Sequence, residues 1–212
     1  MDQISVDDAA TGGQVGRSGL SDPLGTTDLA INRYRVLPGE GLPAGLHAHA
    51  DQEEVFVVRE GVARFETLRE DDGEWTAETV AVAAGEAIRF APGEFQSGHN
   101  AGDDDLVVLA LGAPRDGDDV CLPVACRACG RGTLRLDTDG GLSFRCPDCD
   151  RAHVPTPCPD CGSDDLRVTL RDEVASGSRT MSGDHPGAAP ASETLVVCSD
   201  CGATFARPPL ST

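Results

Sequence analysis

Two sets of residues in this 212-residue chain have types and spacings that chemistry can use. The first is His47-x-His49-x4-Glu54. Side chains alternate faces along an extended backbone, so His47 and His49 point the same way. Glu54 opens the run EVFVVRE, where it shares a face with Phe56 and Val58. If that face turns inward, two imidazoles and a carboxylate converge. Such a set suits Fe(II), Mn(II), Ni(II) or Co(II), with coordination positions left open for substrate or oxygen. A plainer use competes: the same residues can hydrogen-bond one another in a pocket that holds no metal. Asp51, Gln52 and Glu53 read as solvated turn residues, although Glu53 could exchange with Glu54 as the carboxylate.

The second set is eight cysteines in four C-x2-C pairs: Cys126/Cys129, Cys146/Cys149, Cys158/Cys161 and Cys198/Cys201. Four thiolates suit tetrahedral Zn²⁺, and a closed set of four implies a structural ion with no position free for catalysis. Iron in a thiolate cage remains open on spacing alone. Redox use of the pairs would want a βαβ setting, which the sequence lacks. Cys121 is left over and reads as a free thiol in a linker; His153 reads as a bystander between the two sets.

The elements that must position these residues are short. Runs of strand length lie at 29–37, 54–60, 63–70, 78–84, 86–90 and 106–112, divided by Gly, Pro and Asp-Asp-Gly turns. No long helical stripe appears, and six or more strands at this spacing predict an all-β barrel or jelly roll. The expected divisions are a disordered segment over 1–25, a β-barrel over 26–113, a linker over 114–124 and two metal modules over 125–155 and 156–212. The second module carries a low-complexity loop over 174–192. Each module offers two short strands around a turn, TLRLDTDGGLSFR in the first and DLRVTLRDE with ETLVV in the second. Such segments bury too little core to fold without metal. Both resemble zinc ribbons.

The first metal set lies within Gly41-x5-His47-x-His49-x4-Glu54-x6-Gly61, which resembles the first motif of the cupin superfamily at every position. Gly85-x5-Ala91-x-Gly93-x2-Gln96-x3-Asn100 resembles the second motif, with Ala91 in place of Pro and Gln96 in place of the usual His. The resemblance covers about residues 25–113 and implies a small jelly-roll cupin followed by two zinc-ribbon hairpins. It also implies Gln96 as fourth ligand or as hydrogen-bond donor to a metal-bound water; His99 is a weaker candidate for the same place. A barrel metal (Fe, Mn, Ni, Co or Zn) and dioxygenase or isomerase action on an unknown small molecule follow from the family, as does pairing into homodimers. The alternative is a non-catalytic sensor of a ligand or metal that contacts a protein partner through its ribbons.

Charge narrows the partners. The chain carries 36 acidic residues against 17 basic ones, all Arg, for a net −19. Such a surface opposes nucleic acid and anionic membranes. The cysteine half, residues 113–212, is itself acidic, with 10 Arg against 15 Asp and Glu. A Lys-free acidic composition resembles that of halophilic, haloarchaeal proteins; a GC-rich mesophile is the other source. Absence of a long apolar run and of an apolar leader predicts a cytoplasmic protein. Arg33, Arg35, Arg64 and Arg89 lie in the strand runs, and one of them turned into the barrel would fit it for an anionic substrate. Tyr34 and Phe65 are expected in the core.

Overall fold

The computed structural model describes residues 1–6, 16–71, 74–171, 179–182 and 194–211. Each of the six expected runs is a strand: β2 (Ala30–Val36), β4 (Glu53–Glu60), β5 (Val62–Asp71), β6 (Glu74–Ala83), β7 (Ala87–Phe90) and β9 (Leu106–Ala113). Three further strands join them, β1 (Gly16–Gly19), β3 (Ala48–His49) and β8 (Phe95–Asn100). One sheet has the order β1-β2-β9-β4-β7, and a second places β6, β5 and β8 beside β15 (Arg179–Ser182). All pairings are antiparallel.

Alternation along the strands sends Phe56 and Val58 of one sheet, and Ala63, Phe65 and Val82 of the other, into one core. The Phe56 and Phe65 rings sit 5.1 Å apart there. Gly61 turns β4 into β5 with φ 76°, and a Cβ at that position would meet Asp105 O at 2.9 Å. Only glycine satisfies both constraints.

Residues 16–24 fall in the stretch expected to be disordered, yet they form β1 and the four-residue helix α1 (Ser21–Leu24). Pairing of β1 along β2 and burial of Leu20 hold them in place, a tertiary cause that the polar local sequence does not announce. Residues 7–15 of that stretch lie outside the described residues, as does most of the loop expected over 174–192.

The expected linker, 114–124, contains β10 (Val120–Leu122). This strand pairs with β3 on one side and with β11 (Leu134–Asp137) on the other. From β11 the sheet continues through β12 (Ser143–Arg145) and β13 (Ala152–Pro155) to β18 (Leu210–Ser211). The first cysteine module is thus an extension of the sheet that begins at Ala48 and His49. The second module holds β14 (Leu166–Leu170), β16 (Thr194–Cys198) and β17 (Thr204–Phe205).

Neither module hangs free. A second core combines Leu68, Trp75, Ala77 and Phe95 of the barrel with Val124, Leu134, Val168, Leu170 and Val196 of the modules. Glu66 of β5, buried, accepts hydrogen bonds from Ser97 Oγ at 2.9 Å, Thr169 Oγ1 at 2.9 Å and Leu170 N at 3.3 Å. These contacts tie the second module to the barrel wall. No helix among the described residues is long and apolar enough to cross a membrane.

Candidate metal centres

His47 and Gln96 form an isolated antiparallel bridge, exchanging N–H···O bonds of 3.1 and 2.7 Å, so both side chains leave on one face. Two residues on, His49 sits between two chains: its carbonyl accepts from Gly93 N at 2.8 Å, and it pairs with Val120 of β10. Glu54, the second residue of β4, stands opposite Gly112, whose missing side chain makes room for Gln52. The ligand atoms of His47, His49 and Glu54 lie within 4.8 Å of one another. The set expected from spacing is brought together.

His47 Nδ1 lies 2.9 Å from Gly45 O, so the N–H is on that nitrogen and the Nε2 lone pair faces the cavity. Nε2 is 3.4 Å from Gln96 Nε2, and the same amide nitrogen donates to Glu54 Oε2 at 2.8 Å. Gln96, 3 % exposed, therefore joins the other three residues. His49 Nε2 is 3.6 Å from Glu54 Oε2, while its Nδ1 is buried with no hydrogen-bond partner. His99 stands elsewhere, on β8 opposite Arg64, and does not enter the group.

Burial dominates the protonation of the cluster. It pushes the Glu54 carboxyl up to about 7 against the hydrogen bond from Gln96. It pulls His49 down to about 4, helped by the neighbouring His47, and lowers His47 as well. Two neutral imidazoles and a desolvated carboxyl form a set that a divalent cation relieves. Two imidazoles and a carboxyl with ligand atoms this close, and the Gln96 amide beside them, fit such an ion.

A cavity of about 280 Å³ opens over these groups. None of the four arginines expected as candidates lines it: Arg35 pairs with Asp105 and Arg89 with Glu53, both on the exposed side. The cavity's arginines are Arg17 of β1 and Arg115 after β9. Arg17 is steadied by Asn32 Oδ1 through Nε at 3.1 Å and Nη2 at 3.0 Å. Arg115 donates to Thr26 O and to Asp22. Tyr34 lines the cavity instead of being fully buried, and burial raises its hydroxyl above its usual range, keeping it a donor. Gln52, expected as a solvated turn residue, is buried against Gly112 and Gly117 and donates to Pro114 O at 2.6 Å. Nothing in the local sequence separates Arg17 or Arg115 from surface arginines, because chain-distant packing carries them to the site.

The eight paired cysteines form two groups, Cys126/Cys129/Cys146/Cys149 and Cys158/Cys161/Cys198/Cys201. Sulfurs approach to 3.5–3.8 Å between pairs, close to the roughly 3.8 Å edge of a tetrahedron with 2.3 Å metal–sulfur bonds. Each C-x2-C turn closes with an N–H from the residue after its second cysteine to the carbonyl of the first. That residue has positive φ in all four: Gly130, Asp150, Gly162 and Gly202. Cys121 belongs to neither group; it is half-buried in β10, opposite Ala48 and Arg135, and burial raises its thiol. His153 is no bystander. It is fully buried, with Nε2 3.4 Å from Cys126 Sγ, and burial notwithstanding, that contact helps bring the Cys126 thiol down to about 6.

Residues 32–112 match the family described as Cupin domain. Solved structures similar to the chain include an uncharacterised protein with a double-stranded β-helix domain from Klebsiella pneumoniae, with 20% identity over 54% of this chain and 91% of that one, at a TM-score of 0.43. A cupin protein from Bacteroides fragilis has 23% identity over 54% and 86%, at 0.41. A sugar phosphate isomerase of the cupin superfamily from Silicibacter pomeroyi has 19% identity over 70% and 94%, at 0.48. No curated protein matches the chain. The matched residues hold most of the two facing sheets and carry His47, His49, Glu54 and Gln96, and so the match and the architecture agree on the cupin double-stranded β-helix fold.

Proposed function

We propose that the barrel pocket holds one divalent transition metal on His47, His49 and Glu54, with the Gln96 amide beside it, and acts on a small anionic molecule as a dioxygenase or isomerase. The observation that carries this reading is the convergence of those four side chains beneath a cavity that also bears Arg17 and Arg115. A divalent ion at this place supplies Lewis acidity and open coordination positions. The chain's own residues supply the rest. Arg17 and Arg115 offer guanidinium N–H groups to a carboxylate or phosphate, and Tyr34 and Asn32 line the path between them and the ligand set. With His47 N–H committed to Gly45 O, its other nitrogen is held for coordination.

The two four-thiol groups are proposed as structural zinc sites of the zinc-ribbon kind, in a reducing cytoplasm where such thiols stay free for metal. Elemental analysis of protein purified anaerobically in high salt, beside a His47→Ala/His49→Ala variant, tests both statements. Two zincs and a third metal lost from the variant are expected; two zincs in both proteins and nothing else would defeat the barrel-metal reading.

A second reading is a non-catalytic sensor that reports the state of the barrel to a protein partner. Pairing of His49 with Val120 favours it, since β10 leads straight into the first cysteine module. Tight ligand binding without turnover of any carboxylate or sugar-phosphate substrate, under oxygen or without it, would select the sensor.

A further inference from the structure

A second cavity, of about 660 Å³, lies where the cysteine modules meet the metal loop of the barrel. Its walls are largely hydrocarbon: Leu122, Leu136, Phe144, Leu166, Val196 and Leu210 are among them. Among the described residues, polar side chains enter its lining at His47, Thr156 and Asp164. The chain is poor in aromatic residues, at 4%, and carries a net charge of −19. Lining a hollow with apolar groups in such a molecule forfeits dispersion contacts that a closed core would gain.

The rim points the same way. Leu142 is 53% exposed and Val154 46%, and both line this cavity. Two exposed apolar side chains on one apolar hollow make a patch, which a singly exposed residue does not, and such patches mark binding places.

The occupant is small, because a hollow of about 660 Å³ is of the size that holds a small molecule. Ala44 and His47 line both hollows and form the wall between them. Ala44 holds φ 81°, and Gly45 beside it packs so closely on the second module that a Cβ would meet Val168 O at 2.8 Å. That wall is therefore fixed by the module on one side and by the barrel on the other. The occupant is also uncharged or nearly so: the hydrocarbon walls would strip a charged group of its water, the surrounding charge repels anions in particular, and Asp164 takes a hydrogen-bond donor.

We propose that this cavity is a binding site for a neutral, mainly apolar small molecule, with its hydrocarbon body between the cysteine modules and its polar end at the Thr156–Asp164 side. The site is separate from the metal pocket. It does not rest on the metal reading, since His49 and Glu54 line the other cavity and not this one.

The test uses N-phenyl-1-naphthylamine, a neutral fluorophore, titrated into the full chain with its metals in molar KCl. Saturable binding of one probe per chain is expected. Leu142→Glu and Val154→Glu, both at half-exposed rim positions, should each weaken it at least tenfold. Leu37→Glu, at an equally exposed leucine away from the cavity, should leave it unchanged. A His49→Ala/Glu54→Gln protein should bind the probe as the parent does even if the barrel proves to hold no metal. Circular dichroism identifies a rim variant that fails to fold, and the other rim variant then decides. Absence of saturable binding, or binding that both folded rim variants retain, would overturn the proposal. So would a dimer, seen by sedimentation, that Leu142→Glu dissociates and that excludes the probe.

Discussion

Glu54 sits between two demands. Desolvation raises its carboxyl to about 7, so the metal-free native state prefers the protonated form. By linkage, a carboxyl raised from its ordinary value near 4.5 adds stability that is present below that value and lost as pH rises through about 7. The loss amounts to about 3 kcal/mol at most, scaled from roughly 1.4 kcal/mol per pH unit. A bound cation reverses the preference, because coordination needs the carboxylate. His49, pulled down by burial to about 4, is already neutral in this range, and burial lowers His47 as well. Affinity for Mn(II) or Co(II) should therefore climb close to tenfold per pH unit up to about pH 7 and level off above it. Glu54→Gln should bind at least tenfold more weakly and lose that slope, and without metal it should be more stable than the parent at pH 8. Metal titrations from pH 5.5 to 8.5 and denaturant melts of the stripped proteins measure both; a parent profile flat through pH 7 would rule out Glu54 as a ligand.

At the scale of elements, two strands join the barrel cluster to the thiol groups. β3 is only Ala48–His49, and it is held between Gly93 of the barrel and β10 of the first module. β14 of the second module gives Val168 O to Leu46 N at 2.7 Å and Thr169 and Leu170 to Glu66. Module and barrel share one core, which also contains the chain's single tryptophan, Trp75, 6.1 Å from Phe95. Removing metal from the thiol groups should thus be felt in the barrel. Cys146→Ser or Cys198→Ser, each at a buried thiol, should red-shift and broaden the Trp75 emission and weaken barrel-metal binding at least tenfold, although neither residue touches that site. Fluorescence and metal titration of the same samples check this, and unchanged barrel affinity in a variant whose thiol group no longer holds the proposed zinc would show that the two units act independently.

Over the whole molecule, charge outweighs any single contact. Seventeen arginines face 36 carboxylates, and ion pairs such as Arg35–Asp105 and Arg89–Glu53 leave most of the excess unmatched. Exposed pairs of this kind contribute roughly 0–1 kcal/mol each. Self-repulsion at net −19 is long-ranged in dilute salt, with a Debye length of about 10 Å at 0.1 M against about 3 Å at 1 M. The thermal midpoint should accordingly rise between 0.1 and 3 M KCl, most steeply below 1 M, in the manner of a halophilic protein. A midpoint independent of salt over that range would assign the composition to genomic bias instead.

The sequence alone determined what depends on neighbours along the chain. Period-two placement put His47 and His49 on one side, β-branched runs set six barrel strands, and C-x2-C spacing paired the eight cysteines into two groups of four. These are local matters of side-chain alternation and residue spacing, and they are legible without coordinates. Gln96 was legible too, through the spacing of its motif. Tertiary structure decided whatever joins distant segments. Arg17 reaches the pocket because β1 adds to β2, and Arg115 because Asp22 and Thr26 receive it. The supposed linker became a strand because β3 and β11 each offered it an unpaired edge. The modules lost their independence because the barrel's outer apolar residues complete their core. Pairing and burial of this kind reward residues far apart in sequence, and no local pattern encodes them.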